Sequence, residues 1–216
     1  MTDTSDQYIT EQEFRDYIKT PSGDKGKNEI LGAISAASRS VDSFCGRYFN
    51  QRDETQYFSA NPKDPNCLWI LPLDDMDLAT TSGLTVSSET GNDGTYPLSW
   101  TVNVDFIAEP INQSQNGITP WPYTSLRSIG THVWPIRFIE WQRPTVKIVG
   151  RWGWPVAPPD PVKRATAIIA NQLWKLGEAP LGVAGWGSYG DIRVREIPQA
   201  ASLLAPYRKV GTMGIA

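Results

Sequence analysis

Helical periodicity marks both ends of this 216-residue chain and is missing from its middle, and that interruption limits the folds open to it. On the N-terminal side Ile30, Ile34, Ala37, Val41, Phe44 and Tyr48 recur alternately four and three residues apart. That spacing lines them up on one stripe of a helix over about 24–48. On the C-terminal side Val162, Ala165, Ile169, Gln172 or Leu173, and Leu176 repeat the pattern. Between the two, over 50–150, proline, glycine, threonine and aromatic residues take over. The chain therefore predicts an α+β fold in one domain, 1–216. Two long helices and a short N-terminal one form a small antiparallel helical core, 8–49 and 160–177. A large β-rich insertion, 50–150, interrupts it, and an extended C-terminal arm, 182–216, follows.

Local signals fill in this outline. Thr10 and Glu13 stand at the two positions of a capping box, and Ile9 and Phe14 at those of a hydrophobic staple, so a short helix begins there. Thr20-Pro21-Ser22-Gly23 breaks it. Ala33, Ala36 and Ala37 leave room for another helix to approach the second one. The chain then runs extended through Thr55-Gln56-Tyr57-Phe58. Short strands are predicted at 68–71, 84–86, 99–104 and 145–149, with Asn92-Asp93-Gly94-Thr95 as a turn between two of them. The segment 110–135 reads as mostly loop. Gly150-Arg151-Trp152-Gly153-Trp154-Pro155 hands the insertion over to the last long helix, for which Asp160 is a good N-cap, Pro161 a good first residue and Gly177 a stop. Because that helix has its own start signal, the tryptophan turn is free for another task. Trp152 and Trp154 are expected to be buried and to anchor the insertion to the helical core, with Gly153 allowing the bend. A short helical turn is expected at 199–204.

Composition excludes several function classes. The formal net charge of −3 does not suit a protein that coats nucleic acid. Charged residues make up 20%, below the roughly 25% of an average soluble domain, as expected if partners cover part of the surface. The first residues, Met1-Thr2-Asp3-Thr4-Ser5-Asp6, carry neither the basic nor the apolar region of a signal peptide. No apolar run approaches the roughly 18 residues of a membrane span. Cys45 and Cys67 are accordingly expected as two reduced thiols in a cytoplasmic setting.

Chemistry is sparse. Gly185-Trp186-Gly187-Ser188-Tyr189-Gly190 has the spacing of a dinucleotide-binding loop, but a helix precedes it and an extended segment follows, the reverse of what pyrophosphate binding needs. His132 is the only histidine, which leaves no ligand set for zinc, and it is expected at a surface or rim. Asp74, Asp75 and Asp77 crowd one loop without the glycine and distal glutamate of a calcium loop. No metal, cofactor or catalytic residue is expected. Nine tryptophans are scattered along the chain and are expected in the core or at subunit interfaces, although a sugar-stacking platform using Trp121 or Trp134 is a rival reading. An acid–base pair of Asp105 with Glu109 is a second rival, one that no pocket-forming motif accompanies. Arg193, Arg195, Arg208 and Lys209 make the tail basic, either as solvated charge or for docking to an acidic partner.

Four stretches, taken in order, resemble the head–tail connector (adaptor) proteins of long-tailed bacteriophages. They are the entry Tyr8-Ile9-Thr10-Glu11-Gln12-Glu13-Phe14-Arg15-Asp16-Tyr17-Ile18; the long helix through Ala33, Ile34, Ala37, Ser38, Val41 and Asp42 into Phe44-Cys45-Gly46-Arg47-Tyr48-Phe49; Gly150-Arg151-Trp152-Gly153-Trp154-Pro155-Val156-Ala157-Pro158-Pro159 leading to the Asp160 helix; and Leu203-Leu204-Ala205-Pro206-Tyr207-Arg208. They cover both ends and the joint, and leave about 80–140 carried only by its β character. The resemblance implies a structural virion protein at the head–tail interface, assembled in the host cytoplasm, in a homo-oligomeric ring commonly of twelve. Such a ring lies under the portal protein, extends the DNA channel without gripping the viral DNA, and offers its far side to the next connector (stopper) or tail protein. It implies no membrane partner and no enzymatic activity. The segment 182–208 is expected to dock to the portal or to a neighbouring subunit, through Trp186, Tyr189, Arg193, Arg195, Leu203, Leu204, Tyr207, Arg208 and Lys209. The alternative is a carbohydrate- or protein-binding β-rich module of a virion or cell-surface assembly.

Overall fold

The computed structural model describes residues 6–21, 26–60, 68–74, 76–114, 117–118, 120–136, 143–178, 194 and 197–209, with the side chains of 176–178 left out. The chain divides into two units, one from Met1–Phe49 with Pro158–Ala216 and one from Asn50–Ala157. We call them the helical unit and the β unit.

In the helical unit, α1 spans Glu11–Ile18 and α2 spans Lys27–Cys45. α3 spans Asp160–Glu178, and α4 spans Pro198–Leu204 and continues into a 3-10 turn, Ala205–Tyr207. The capping box of α1 is formed in both directions. The Glu13 N–H donates to Thr10 Oγ1 at 3.1 Å and the Thr10 N–H to Glu13 Oε2 at 2.6 Å. α1 ends on Lys19, whose left-handed backbone (φ 56°) turns its N–H back to the Arg15 carbonyl. The apolar stripe of α2 is buried at Ile30, Ala33, Ile34, Ala37, Val41 and Cys45, while Ala36 is exposed. Its helix stops at Cys45, short of the expected 48, because Gly46 takes φ 62° and closes a bond to the Asp42 carbonyl. α3 runs one residue past Gly177 and begins at Asp160 itself, offsets within the usual fraying of helix ends. Its residues 165–170 are all buried, so no face of that stretch meets water. A helix apolar all round is a central one, and α3 packs against α1, α2 and α4.

Of the arm expected over 182–216 only 194 and 197–209 are described; the helical turn expected at 199–204 is present there, and it is packed into the unit where an extended arm was expected. Residues 198–207 are helical and packed into the unit, with Ala200, Leu204 and Tyr207 buried. Alanine and leucine favour helix, and the apolar side of this short helix finds α3.

The β unit holds two antiparallel sheets. We number its strands β1 Arg52–Phe58, β2 Ile70–Pro72, β3 Thr85–Ser88, β4 Leu98–Trp100, β5 Phe106–Glu109, β6 Ser125–Ser128 and β7 Val146–Trp152. One sheet has the order β1-β7-β3-β4 and the other β2-β6-β5. Their inner faces share one core, to which Phe58, Val86, Ile148 and Trp152 come from the first sheet and Leu71, Phe106, Ala108 and Leu126 from the second. Along β7 the pleat alternates: Val146, Ile148 and Trp152 point inward, while Val149 and Arg151 are exposed. The strand expected at 99–104 stops at Trp100. Asn103 has φ 63°, and the Asp105 carboxylate accepts the Thr101 N–H at 2.6 Å, which makes a turn instead. The turn at 92–95 is present: Asn92 and Gly94 have positive φ, and Asp93 Oδ1 accepts the Thr95 N–H at 2.8 Å. β6, the central strand of its sheet, lies inside the segment read as loop.

Candidate assembly surface

Leu204 and Tyr207, expected to dock outward, are core residues of the helical unit, with exposures of 0% and 4%. Their segment is fastened to the end of α2. Arg47 Nε donates to the Tyr207 carbonyl at 2.7 Å, and the Lys209 N–H donates to the Cys45 carbonyl at 2.8 Å. The second bond satisfies one of the carbonyls that a helix end leaves unpaired. The Tyr207 ring meets Phe49 edge-on at 6.0 Å, and the Arg208 guanidinium lies 5.8 Å from the Phe44 ring centre. Leu203 and Lys209 are half-buried, and Arg208 is exposed. Trp186, Tyr189, Arg193 and Arg195 lie outside the described residues, as does the glycine motif 185–190. Truncation from Ile197 onward would thus remove Ile197, Ala200, Leu204 and Tyr207 from the core, and would not leave a folded monomer untouched.

The chain entry is fastened to the same end of α2. Tyr8 is buried, accepts the Phe49 N–H at 2.9 Å and donates to the Asp42 carboxylate; its own N–H reaches Ser38 Oγ at 3.2 Å. Burial first, then the Asp42 carboxylate, pushes the Tyr8 phenol well above its ordinary range. Arg39 lies 5.8 Å from the Tyr8 ring and 5.3 Å from the Tyr48 ring, with Nε 3.2 Å from Asp42 Oδ2. The Tyr48 hydroxyl donates to Asp6, and its pKa is pushed up to about 12, chiefly by burial. Cys45 is fully buried below this cluster, and burial pushes its thiol up to about 12, so it is an inert neutral thiol at physiological pH. Cys67 lies outside the described residues.

The helical unit also carries an open cleft of about 530 Å³ lined by Tyr8, Ile9 and Leu31 with Glu11, Glu13, Lys27 and Lys163. Its charges are matched: Lys163 is 3.3 Å from Glu13, and Lys27 is 3.8 Å from Glu11. No histidine or cysteine lines it.

In the β unit Trp152 is a core residue that meets Phe58 at 5.7 Å, and its indole N–H donates to the Glu54 carbonyl at 3.0 Å. Trp154 packs edge-on against Trp121 at 5.1 Å. Both indoles are buried, and Gly153 takes φ 111°, the left-handed bend expected there. These partners of Trp152 and Trp154 belong to the β unit. Trp121 and Trp134 are buried as well, which removes them as a sugar platform; Trp134 stacks on Trp100 at 4.3 Å. Three of the exposed apolar residues, Trp69, Val104 and Val133, lie at one end of the second sheet. Trp69 and Val133 flank the backbone bond from Trp134 N–H to the Leu68 carbonyl, and Val104 sits beside Asp105, whose carbonyl accepts from Ile129. His132 is at that rim, 3.4 Å from Asp105.

The rival carboxylates are already engaged: Asp105 by Thr101 and His132, Glu109 by Arg127 at 2.6 Å. Asp77 is buried, its carbonyl accepting the Gly153 N–H at 2.7 Å, and Asp75 lies outside the described residues. Among the described residues no group of three or more His, Cys, Asp or Glu could hold a metal ion. Nor is any described helix long and apolar enough to cross a membrane.

No protein-family model matches the sequence, and no curated protein does. Solved structures do match. Over 99% of its length the chain superposes on 96% of a chain from the neck of an empty gene transfer agent (GTA) particle computed with C6 symmetry, with a TM-score of 0.58 at 17% identity. A chain from the neck of the native GTA particle, computed with C12 symmetry, matches over the same shares with a TM-score of 0.57 at 13% identity. A chain from the virion of the native GTA particle matches over 96% of this chain and 92% of its own length, with a TM-score of 0.55 and 13% identity. At these identities the likeness is one of fold.

Proposed function

We propose that the chain is a structural connector (adaptor) subunit of a phage-like virion neck, one copy in a closed ring beneath the portal. The observation that carries this reading is the two-way coverage of the match, 99% of this chain on 96% of a neck chain. Both units and both chain ends have a counterpart, so the likeness is to a whole neck protein and not to a common module. The C6 and C12 symmetry of those necks supports a ring of six or twelve copies, and twelve is the number the resemblance implies. Portal, the next connector or tail protein, and further copies of the chain are the partners. Viral DNA passes through without specific contacts, in keeping with a net charge of −3 that gives phosphates no general hold. The role is one of positioning and sealing, with no chemical step. The exposed apolar end of the second sheet at Trp69, Val104 and Val133 is a surface for such contacts. Multi-angle light scattering and negative-stain microscopy of the full chain, alone and mixed with portal rings, test the reading. Closed rings or ring-on-portal complexes are expected; a chain that stays monomeric and never joins portal would overturn it.

A further inference from the structure

We propose that the free edge of β1 takes up an extended segment of a partner protein as an added strand, paired along 53–57. β7 lies between β1 and β3, and successive residues of a strand turn their main-chain groups to opposite sides. The Glu89 N–H bonds the Thr145 carbonyl and the Ala79 N–H the Arg151 carbonyl, so the odd-numbered residues of β7 face away from β1. Val146, Ile148, Gly150 and Trp152 therefore bond to β1, where they stand opposite Phe58, Gln56, Glu54 and Arg52. The main-chain N–H and C=O groups of Asp53, Thr55 and Tyr57 point the other way, out of the sheet edge, and make no hydrogen bond to a described residue. All three residues are exposed.

The four sheet edges differ in how they are guarded. β2 has three residues and ends on Pro72, β4 has three and follows Pro97, and β5 has four and precedes Pro110. Shortness and proline both keep an edge from pairing. β1 has neither: its seven residues run in unbroken register with β7, without proline or bulge. Its charges stop at Glu54, and Thr55-Gln56-Tyr57-Phe58 carries none. The open groups repeat every second residue, about 6.8 Å apart, and another extended polypeptide matches that spacing with its own donors and acceptors. On the outer face beside them Tyr57 is half exposed, with its ring 5.8 Å from that of Tyr96, and Val149 is 39% exposed. The added strand is therefore uncharged opposite 55–58 and sets a β-branched or aromatic side chain beside Tyr57.

The test uses the full chain with a short uncharged peptide of alternating threonine and valine, unmodified or N-methylated at alternate residues. In the free chain the Asp53, Thr55 and Tyr57 amides should exchange with solvent fast, and those of Glu54, Gln56 and Phe58 slowly. Slow exchange at Thr55 and Tyr57 in the monomer would mean an edge already covered, and would overturn the proposal. The unmodified peptide should protect the fast set and shift its NMR signals. N-methylation, which removes the donors of the added strand, should weaken binding about tenfold. Thr55→Pro deletes an outward N–H and no bond to β7, so it should fold and weaken the peptide similarly. No binding, or binding indifferent to N-methylation, would overturn the proposal. Concentration-dependent dimers lost on Thr55→Pro would assign the edge to a second copy, paired about a twofold axis, and would overturn it too. The methylated peptide needs no substitution in the chain, which keeps the test decisive if Thr55→Pro does not fold. Neither arm involves a ring or a portal, so failure leaves the neck reading standing.

Discussion

α1 is bounded by residues of its own neighbourhood, whereas β7 owes its place to distant ones. Thr10 and Glu13 start α1 and Lys19 ends it. By contrast Phe58 pairs with Val146 and Arg52 with Trp152, and on its other side β7 pairs with β3 through Val86 and Ile148. The two units therefore differ in how they hold together. The helices of the helical unit are ordered by packing on one another, chiefly α2 against α3, with 197–209 added against α3. The β unit is ordered by non-local pairing throughout, so a defect at its centre spreads through both sheets.

Five substitutions test this contrast, from the largest effect down. Trp152→Ala removes the indole where β7 meets the shared core, and is expected to cost about 3–5 kcal/mol in urea unfolding. Near-ultraviolet signals of the β unit should go first while helical circular dichroism persists. Simultaneous loss of both would mean that the units do not unfold separately. Leu204→Ala, in the segment 197–209, is expected to cost about 2–4 kcal/mol and to act on the helical unit. It should also speed thiol modification of Cys45, which is fully buried where the Lys209 N–H meets the end of α2; an unchanged rate would mean that 197–209 does not guard that thiol.

Thr10→Ala is expected to cost about 1 kcal/mol, the usual worth of an N-cap. The sign of its pH dependence follows from Glu13, whose pKa is lowered first by the Thr10 backbone N–H. A depressed carboxylate contributes stability that is present above the ordinary glutamate range and lost as pH falls through its depressed value. The acid limb of stability should hence be steeper in the parent chain than in a Glu13→Gln variant. Arg151→Ala breaks an exposed pair with Asp53 on the outer face of β7, and is expected to change stability by less than about 0.5 kcal/mol. A larger value in the monomer would place a hidden partner on that face.

The same contrast explains what could be read from the residues alone. The capping box, the α2 stripe and the Asp160 start are signals contained in a few adjacent residues, and each became the helix it announced. Strand existence was legible at β3 and β7, where β-branched residues alternate, but β5 and β6 were missed. Ser125-Leu126-Arg127-Ser128 has one apolar residue, and its strand is made by β2 and β5 on either side, information no local window holds. The segment 197–209 was read as a docking element because leucine, tyrosine and arginine near a chain end suit an interface equally well inside or outside a subunit. Only the bonds to Arg47 and Cys45 tell which groove they fill in the folded chain. The burial of Trp152 and Trp154 was legible from their turn, while their partners Phe58 and Trp121 were not, since both sit far away in sequence.

The central claim, a structural subunit of a virion neck, is tested most directly by electron cryomicroscopy of the particles that carry this chain, with the neck averaged about its axis. The account predicts a ring of copies directly beneath the portal, each with the helical and β units described here, and density for 197–209 in every α2–α3 groove. Particles whose necks are complete without this chain would contradict it.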